Sequence, residues 1–374
     1  SCGNTLRRTR GGAKLLLENA WPNFKLVVTI DYRMSATARQ SDIFLPAAAF
    51  YEKTDFRFPT AHLNFLVFTD KAVDPPGEAK PEWEINWLLA QKIEERAKAR
   101  GIDGYKDRRD RTFHFNGLLK RFSMDGKVGP HDQDKLAEDL IDDTVRAGAL
   151  PEKTTLETFR KKGIVRFTHI GVDAVGQNQA TDIKPDKTVN PLSWHVDDKL
   201  PYPSYARRIQ FYIDHEWFLE AGEELPVHKP TPKMGGDFPL VMTSGHQRWS
   251  IHSMWVTNKV LSHTHRGHPT ICMNPEDMKA RGIADDEEVR VRNDFSSFNV
   301  RTRATPSCRP GQVIVYHAWE PYQFPGGKSY DIAIPGLIKW LHLAGGYGHL
   351  KYYRWNWVPQ QVDRAVSVEV EKVA

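Results

Sequence analysis

The sequence predicts a mixed α/β protein: the end of an open parallel-sheet domain, a long connection, and a C-terminal β-barrel. Three observations carry this reading. Near the start, a strand, a short helix and a second strand follow one another in quick succession, which is the repeat of a parallel sheet. The middle third is charged and turn-rich. From about Phe238 the texture changes to short apolar strands separated by turn residues, the pattern of a barrel or sandwich. The expected boundaries are 1–102 for the α/β part, 103–235 for the connection and 236–374 for the barrel.

In the first part, Phe24-Lys25-Leu26-Val27-Val28-Thr29-Ile30 is a nearly continuous apolar run, as a strand buried on both faces requires. It ends at Asp31, which places that carboxylate beyond the carboxyl end of a strand, where open α/β sheets bind ligands. The polar stretch through Thr37 and Arg39 fits a short helix, and Asp42-Ile43-Phe44-Leu45-Pro46 a second strand stopped by proline. A helix is predicted from about Pro81 to Arg100. Its Trp83, Ile85, Trp87, Leu88, Leu89 and Ile93 leave Glu82, Gln91, Lys92 and Glu95 for water, and Gly101 provides a stop.

Beyond it lies a long connection with small elements of its own, including a helical stretch near Gln133–Ala147 and the turn-rich pieces Lys184–Pro191 and Asp197–Pro203. A connection of that size wraps a surface or carries subunit contacts. In the last part, Leu240–Thr243, Glu288–Arg292, Phe298–Thr302, Val313–Tyr316 and Val366–Val370 read as strands. Asn293-Asp294 reads as a hairpin turn, although it lacks the usual glycine.

Composition excludes several classes. With 374 residues and 40% hydrophobic content the chain can bury cores, as two domains. Eleven tryptophans with abundant Gly and Pro fit a loop-rich α/β protein rather than a helical bundle. No apolar run is long enough to cross a bilayer as a helix, so direct membrane insertion is not expected. The net charge of +5 arises from 52 basic against 47 acidic residues. Apart from Arg7, Arg8, Arg10 and a patch at Lys106–Arg111 the basic residues are dispersed, unlike a nucleic-acid interface. Cys2, Cys272 and Cys308 have neither metal-site nor disulfide-framework spacing. The opening Ser1-Cys2-Gly3-Asn4 reads like a turn in mid-domain, so the chain is expected to be truncated.

No phosphate-binding glycine loop and no His-Glu zinc motif is present. One dense polar constellation remains. Thr243-Ser244-Gly245-His246-Gln247-Arg248-Trp249-Ser250-Ile251-His252-Ser253 leaves a strand directly, and its hydroxyls, imidazoles and guanidinium would satisfy a phosphate or a polar heterocycle. Tyr316-His317-Ala318-Trp319-Glu320 closes another strand, and Gly345-Gly346-Tyr347-Gly348-His349 forms a glycine-rich turn. His263, His265 and His268 look like a metal cluster but read as a solvated loop, so no metal ligand is assigned. Trp340, Trp355 and Trp357 read as core or cleft wall.

These motifs resemble a known family. The run from Val27 to Ala38, leading to Ser41-Asp42-Ile43-Phe44-Leu45-Pro46 and then Tyr51-Glu52-Lys53, resembles the third domain of the dimethyl sulfoxide reductase superfamily. Thr243–Ser253, Gly311-Gln312, Tyr316–Glu320 and the Gly345–His349 turn resemble that family's fourth domain, a double-psi-like barrel that binds a molybdopterin dinucleotide. Phe211–Phe218 with Leu225–His228 resembles the linker of the type II branch, which includes ethylbenzene dehydrogenase and the selenate, chlorate and nitrate reductases. The resemblance covers nearly all of the chain except roughly Asp103–Asp197.

What the resemblance implies is specific. The cofactor would be bis-molybdopterin guanine dinucleotide carrying molybdenum or tungsten. Asn4, Asp31, Thr37 and Asp42 would hold the dinucleotide of the α/β part, the two aspartates accepting from guanine or ribose. Thr243, Ser244, Gly245, His246, Arg248, Trp249, His252 and Ser253 would cradle a pterin and its pyrophosphate, and Asn293, His317, Trp319, Tyr347 and His349 would complete that side. In this family the metal ligand and a [4Fe-4S] cluster lie upstream of the position matched by Ser1, so no catalytic residue is assigned and the piece alone is expected to be inactive. The implied partners are an iron–sulfur electron-transfer β subunit, with a haem γ subunit as a further candidate, and a small-molecule substrate. The implied compartment is the periplasm, with the cytoplasm as the alternative. Phe65-Leu66-Val67-Phe68 and the Trp-rich tail lean toward hydroxylation of a hydrocarbon-like substrate, against oxyanion redox chemistry on nitrate, nitrite, selenate or chlorate. A reading from another class is a non-catalytic binding module that keeps the barrel without the cofactor.

Overall fold

A computed structural model describes residues 5–8, 13–57, 64–168, 192–202, 206–222, 224–225, 227–228, 234–250, 252, 254–335 and 366–373. The chain divides into two compact units, Ser1–Phe44 together with Phe211–Ala374, and Leu45–Gln210. Among the described residues no helix is long and apolar enough to cross a membrane.

At the start, β1 (Val28–Asp31) pairs with β2 (Ile43–Pro46), and the helix Ala36–Arg39 lies between them in sequence. The strand is shorter than the apolar run that predicts it. Phe24 and Leu26 are more than half exposed, and Trp21–Asn23 forms a single helical turn instead. Burial along β1 alternates, with Thr29 and Asp31 inside.

The unit Leu45–Gln210 has its own core. Strands β3 (Asp55–Arg57), β4 (Phe65–Thr69) and β7 (Ile164–Arg166) form an antiparallel sheet, and β5 (Gly104–Lys106) with β6 (Thr112–His114) a separate hairpin. The helices Gln133–Arg146 and Leu156–Lys162 supply Ala137, Ile141, Leu156 and Phe159 to a cluster with Phe68, Leu150 and Val165. Phe56, Phe68 and Phe159 meet ring to ring at 5.1–6.0 Å. Part of the stretch read as a connection therefore folds as packed structure, and the Phe68 ring is committed to that core. The helix Glu82–Ala99 has nearly the predicted bounds and ends at Gly101, whose φ of +65° favours a residue without a Cβ. Leu89 and Ile93, expected on its packed face, are exposed, and Ile85, Ala90 and Ala97 are the buried apolar residues. Its Trp83 and Trp87 donate to the carbonyls of Gly129 and Val128.

The barrel is closed by six strands: β8 (Leu240–Gly245), β9 (Thr270–Met273), β10 (Glu288–Arg292), β11 (Ser297–Ala304), β12 (Gln312–Tyr316) and β13 (Val366–Lys372), in the order β10-β11-β9-β12-β8-β13. Two neighbouring pairs, β8 with β12 and β9 with β11, are parallel, and the other pairs are antiparallel. The inward positions alternate along each long strand: Val289 and Val291, Phe298 and Val300, Val313 and Val315, then Val366, Val368 and Val370. Each is essentially water-free, a gain of about 1.5–3 kcal/mol per large side chain. The hairpin between β10 and β11 turns without glycine because Asn293 Oδ1 accepts from the backbone N–H of both Phe295 and Ser296.

Candidate functional site

The site grows out of the parallel pair β8–β12. Gly245 lies opposite Tyr316 in the register, so the chain leaves both strands at the same end of the barrel. The residues that follow, His246 and His317, are thereby neighbours, and His317 N donates to Gly245 O at 3.0 Å. A Cβ on Gly245 would meet the Tyr316 ring at 3.2 and 3.3 Å, closer than the ring tolerates without giving way. His252 completes a trio. Its ring centroid is 5.3 Å from that of His246 and 5.5 Å from that of His317, while His246 and His317 stand edge to face at 4.3 Å. His317 is buried; His246 and His252 are open to solvent. His252, Trp255 and Ala318 have φ of +49°, +63° and +74°, a backbone that side chains rarely adopt, and all three belong to the two segments leaving the strands.

Arg266 fastens these segments to each other. Its guanidinium donates to the carbonyls of Trp255 at 3.1 Å, Val256 at 3.0 Å and Ala318 at 2.5 Å, and to Gln247 Oε1 at 3.2 Å, and it lies 4.0 Å from the centroid of the Trp319 ring. Sequence reasoning missed this residue. It sits in one short turn with His263 and His265, just before His268, where the histidines are the more conspicuous feature. They do not converge: His265 stacks on Trp249 at 4.4 Å, and His268 Nε2 meets Asp286 at 3.2 Å. Arg248 lies over the other ring system of this stack, 5.1 Å from Trp249. Among the described residues, Ser250 Oγ is buried without a hydrogen-bond partner.

The end of β1 belongs to the same unit. Asp31 is buried, and desolvation raises its pKa, against the opposing charge of Arg33 and hydrogen bonds from the Tyr32 and Arg33 backbone and the Ser35 side chain. Arg33 is desolvated too, yet the hydrogen bond and charge of Glu320 outweigh its burial and hold the guanidinium firmly protonated. Glu320 is fully buried: Oε1 accepts from Arg33 Nη1 at 2.7 Å and Oε2 from Ala36 N at 2.9 Å. Tyr322 Oη donates to Met34 O at 3.3 Å, and Arg39 stacks over the Tyr322 ring at 3.4 Å. The loop after β12 and the loop after β1 are thus joined, and together they wall a cavity of about 230 Å³ whose lining includes Leu6, Ala36, Arg39, Ser296, Tyr322 and Asp331.

The other predicted residues are placed as follows. Thr37 Oγ1 is buried and accepts from Leu6 N, and Asp42 Oδ2 accepts from Val27 N at 2.7 Å. Thr243 Oγ1 accepts from Gln312 Nε2 at 3.0 Å, and Ser244 is half-buried on β8. Asn293 is committed to its turn and donates to Ala333 O. Trp319 packs into the barrel core. Asn4, Ser253, Tyr347 and His349 lie outside the described residues, as do Trp340, Trp355 and Trp357.

Comparison with known proteins bears on what this end of the barrel is for. Residues 240–333 match the family described as Molydopterin dinucleotide binding domain, and residues 14–92 the family described as Molybdopterin oxidoreductase. The chain belongs to the dimethyl sulfoxide reductase superfamily of molybdopterin oxidoreductases. It is 35% identical to the respiratory nitrate reductase subunit alpha of Haloferax mediterranei over 99% of this chain and 38% of that one. Identity to the dimethylsulfide dehydrogenase subunit alpha of Rhodovulum sulfidophilum is 36%, over 93% of this chain and 37% of that protein. For the chlorate reductase subunit alpha of Ideonella dechloratans it is 34%, over 99% and 39%. The chain therefore spans less than two fifths of the length of these relatives. Acetylene hydratase from Pelobacter acetylenicus shares the fold, with a TM-score of 0.59 at 14% identity over 97% of this chain and 42% of that one.

The cofactor of the family is a molybdopterin guanine dinucleotide carrying molybdenum. The donor set suits it. Residues 243–253 contain hydroxyls, imidazoles, an indole and a guanidinium but no carboxylate, as a pyrophosphate requires. One of these hydroxyls, the buried Ser250 Oγ, has no hydrogen-bond partner among the described residues and suits a ligand as a donor. When bound, such a cofactor would supply redox chemistry at its metal, and the residues of this segment would supply binding and orientation.

Proposed function

We propose that this chain is the cofactor-embracing part of a catalytic α subunit that exchanges two electrons and an oxygen atom with an oxyanion such as nitrate or chlorate. The observation that carries the reading is the pairing of two parallel strand exits, each followed by histidine, above a donor-rich and carboxylate-free segment. The pyrophosphate would lie across His246, His252 and His317, with Arg248, Ser244 and Ser250 around it. The nucleoside of the second dinucleotide would approach Asp31 and the cavity beside Arg39. Oxyanion chemistry is favoured because relatives named as nitrate and chlorate reductase subunits align over nearly the whole chain. The hydrocarbon alternative loses one of its supports, since Phe68 and Leu66 are occupied in packing the core of their own unit. The dimethylsulfide dehydrogenase relative makes sulfide oxidation the second substrate class to assay. An iron–sulfur β subunit would carry the electrons, and the part of the α subunit outside this chain would supply the [4Fe-4S] cluster and the metal ligand. The exported members of the type II branch favour the periplasm.

The test is anaerobic production of the α subunit that contains this chain together with its partner, followed by molybdenum and pterin analysis. Stoichiometric molybdenum with two guanine dinucleotides, and viologen-linked reduction of nitrate or chlorate, is the expected result. A folded subunit free of pterin would overturn the cofactor reading. Full pterin with turnover of hydrocarbons only would overturn the oxyanion reading alone.

A further inference from the structure

We propose that His246, His252 and His317 form a binding site for one divalent transition-metal ion when the dinucleotide is absent, so that metal and cofactor exclude one another. Among the described residues these three bring metal-ligating atoms within 4.8 Å of one another. Three nitrogens no farther apart than that share a centre within about 2.8 Å of each, and zinc–imidazole bonds are about 2.0–2.1 Å. With His317 held in place, the two exposed side chains close the difference by moving about 1.2 Å or less, which small rotations supply. The buried His317 is the fixed member: its backbone N–H is tied to Gly245 O, and Arg266 clamps the next residue through Ala318 O. The exposed faces of His246 and His252 leave a coordination position open to water, the arrangement of a three-histidine zinc site.

The chemistry of the donors selects the ion. Three neutral imidazoles suit Zn²⁺, Co²⁺ or Ni²⁺ and not Mg²⁺ or Ca²⁺, which demand oxygen. No carboxylate stands between residues 243 and 253 to offer a hard ligand instead. The same imidazole edges that close on a cation are those that would donate to a pyrophosphate oxygen, so one occupant displaces the other. The exclusion half of this proposal rests on the cofactor assignment above; the metal half does not.

The experiment titrates the cofactor-free chain, made in a host unable to synthesise molybdopterin, with Co²⁺ followed by visible absorption, and then with Zn²⁺ in competition. One equivalent with intense ligand-field bands is expected, and His246→Ala or His252→Ala weakens binding about tenfold or more. Both variants alter exposed side chains and keep the fold, whereas His263→Ala on the neighbouring turn serves as the unchanged control. Absence of a stoichiometric Co²⁺ spectrum, or binding indifferent to both variants, overturns the metal site. The same titration on cofactor-loaded subunit should give no uptake; equal uptake there overturns the exclusion. Co²⁺ binding lost in the variants while their pterin content stays full would sink the cofactor role of these histidines and leave the metal site standing.

Discussion

Glu320→Ala is the substitution whose cost the structure defines most closely. Glu320 is fully buried, with both carboxylate oxygens engaged, one by the Arg33 guanidinium and one by the Ala36 backbone N–H. Alanine leaves a guanidinium whose side chain is only 13% exposed without its acceptor, and strands a buried N–H as well. Breaking a buried pair from one side costs about 3–5 kcal/mol, because the remaining charge stays desolvated. Against a total of about 5–15 kcal/mol for a domain, that is about a fifth of its stability at the least. Glu320→Gln keeps one acceptor and should cost about 1.5–3 kcal/mol, the worth of a hydrogen bond to a charged group. Replacing both partners, Arg33→Met with Glu320→Leu, removes the stranded charge and should recover to within about 1 kcal/mol of the parent. Urea unfolding followed by tryptophan fluorescence reads all four proteins. A Glu320→Ala change below about 0.5 kcal/mol, the range of ordinary surface substitutions, would refute the reasoning. So would a double variant as unstable as the single one, since the penalty would then not be the orphaned charge.

Three further outcomes follow from the same geometry. Asp31 has a raised pKa, so its burial favours the protonated form: the stabilising contribution is present below the unfolded value near 3.8 and lost as pH rises through the folded one. Asp31→Asn should therefore stabilise the cofactor-free chain at pH 7 with no gain at pH 3, while lowering pterin content in loaded subunit; an equal effect at both pH values contradicts this. Arg266→Ala should cost about 3 kcal/mol and Arg266→Lys nearly as much, because an ammonium cannot span three carbonyls and the Trp319 face, and cofactor retention should fall with both. Glu94 accepts from the N–H groups of Gly117 and Leu119 at the start of a helix, which lowers its pKa; stability from it is present above 4.5 and lost as pH falls through the folded value. Glu94→Gln should thus cost about 1 kcal/mol at pH 7, shrinking toward zero in acid, and a pH-independent cost would count against a charge effect.

Most of the barrel is legible in the sequence because its strands are wet on one side. Val289 and Val291 alternate with Glu288, Arg290 and Arg292, the two-residue period that a half-buried strand imposes and a helix does not. β9 is not legible, because Ile271, Cys272 and Met273 are all buried and the strand is only four residues long, leaving no alternation to see. At the other end of the chain the error has the opposite sign. Phe24 and Leu26 look like strand but face outward, since an apolar run does not say which of its members the sheet will take.

The candidate site divides the same way. Polar residues directly after a strand are visible one exit at a time, and both exits, Gly245-His246 and Tyr316-His317, stand out from their neighbours. What composition and spacing cannot give is that β8 and β12 run parallel and side by side, because pairing between strands so distant in sequence is decided by barrel closure. That one fact turns two weak polar loops into a single three-histidine crevice. It also accounts for the illegibility of Arg266. Its value lies mainly in contacting the carbonyls of residues 255, 256 and 318, and backbone acceptors carry no residue type in the sequence to search for. The strained φ values at His252, Trp255 and Ala318 have the same origin: the barrel and Arg266 hold the backbone where local preference would not, and that places the imidazoles against one another.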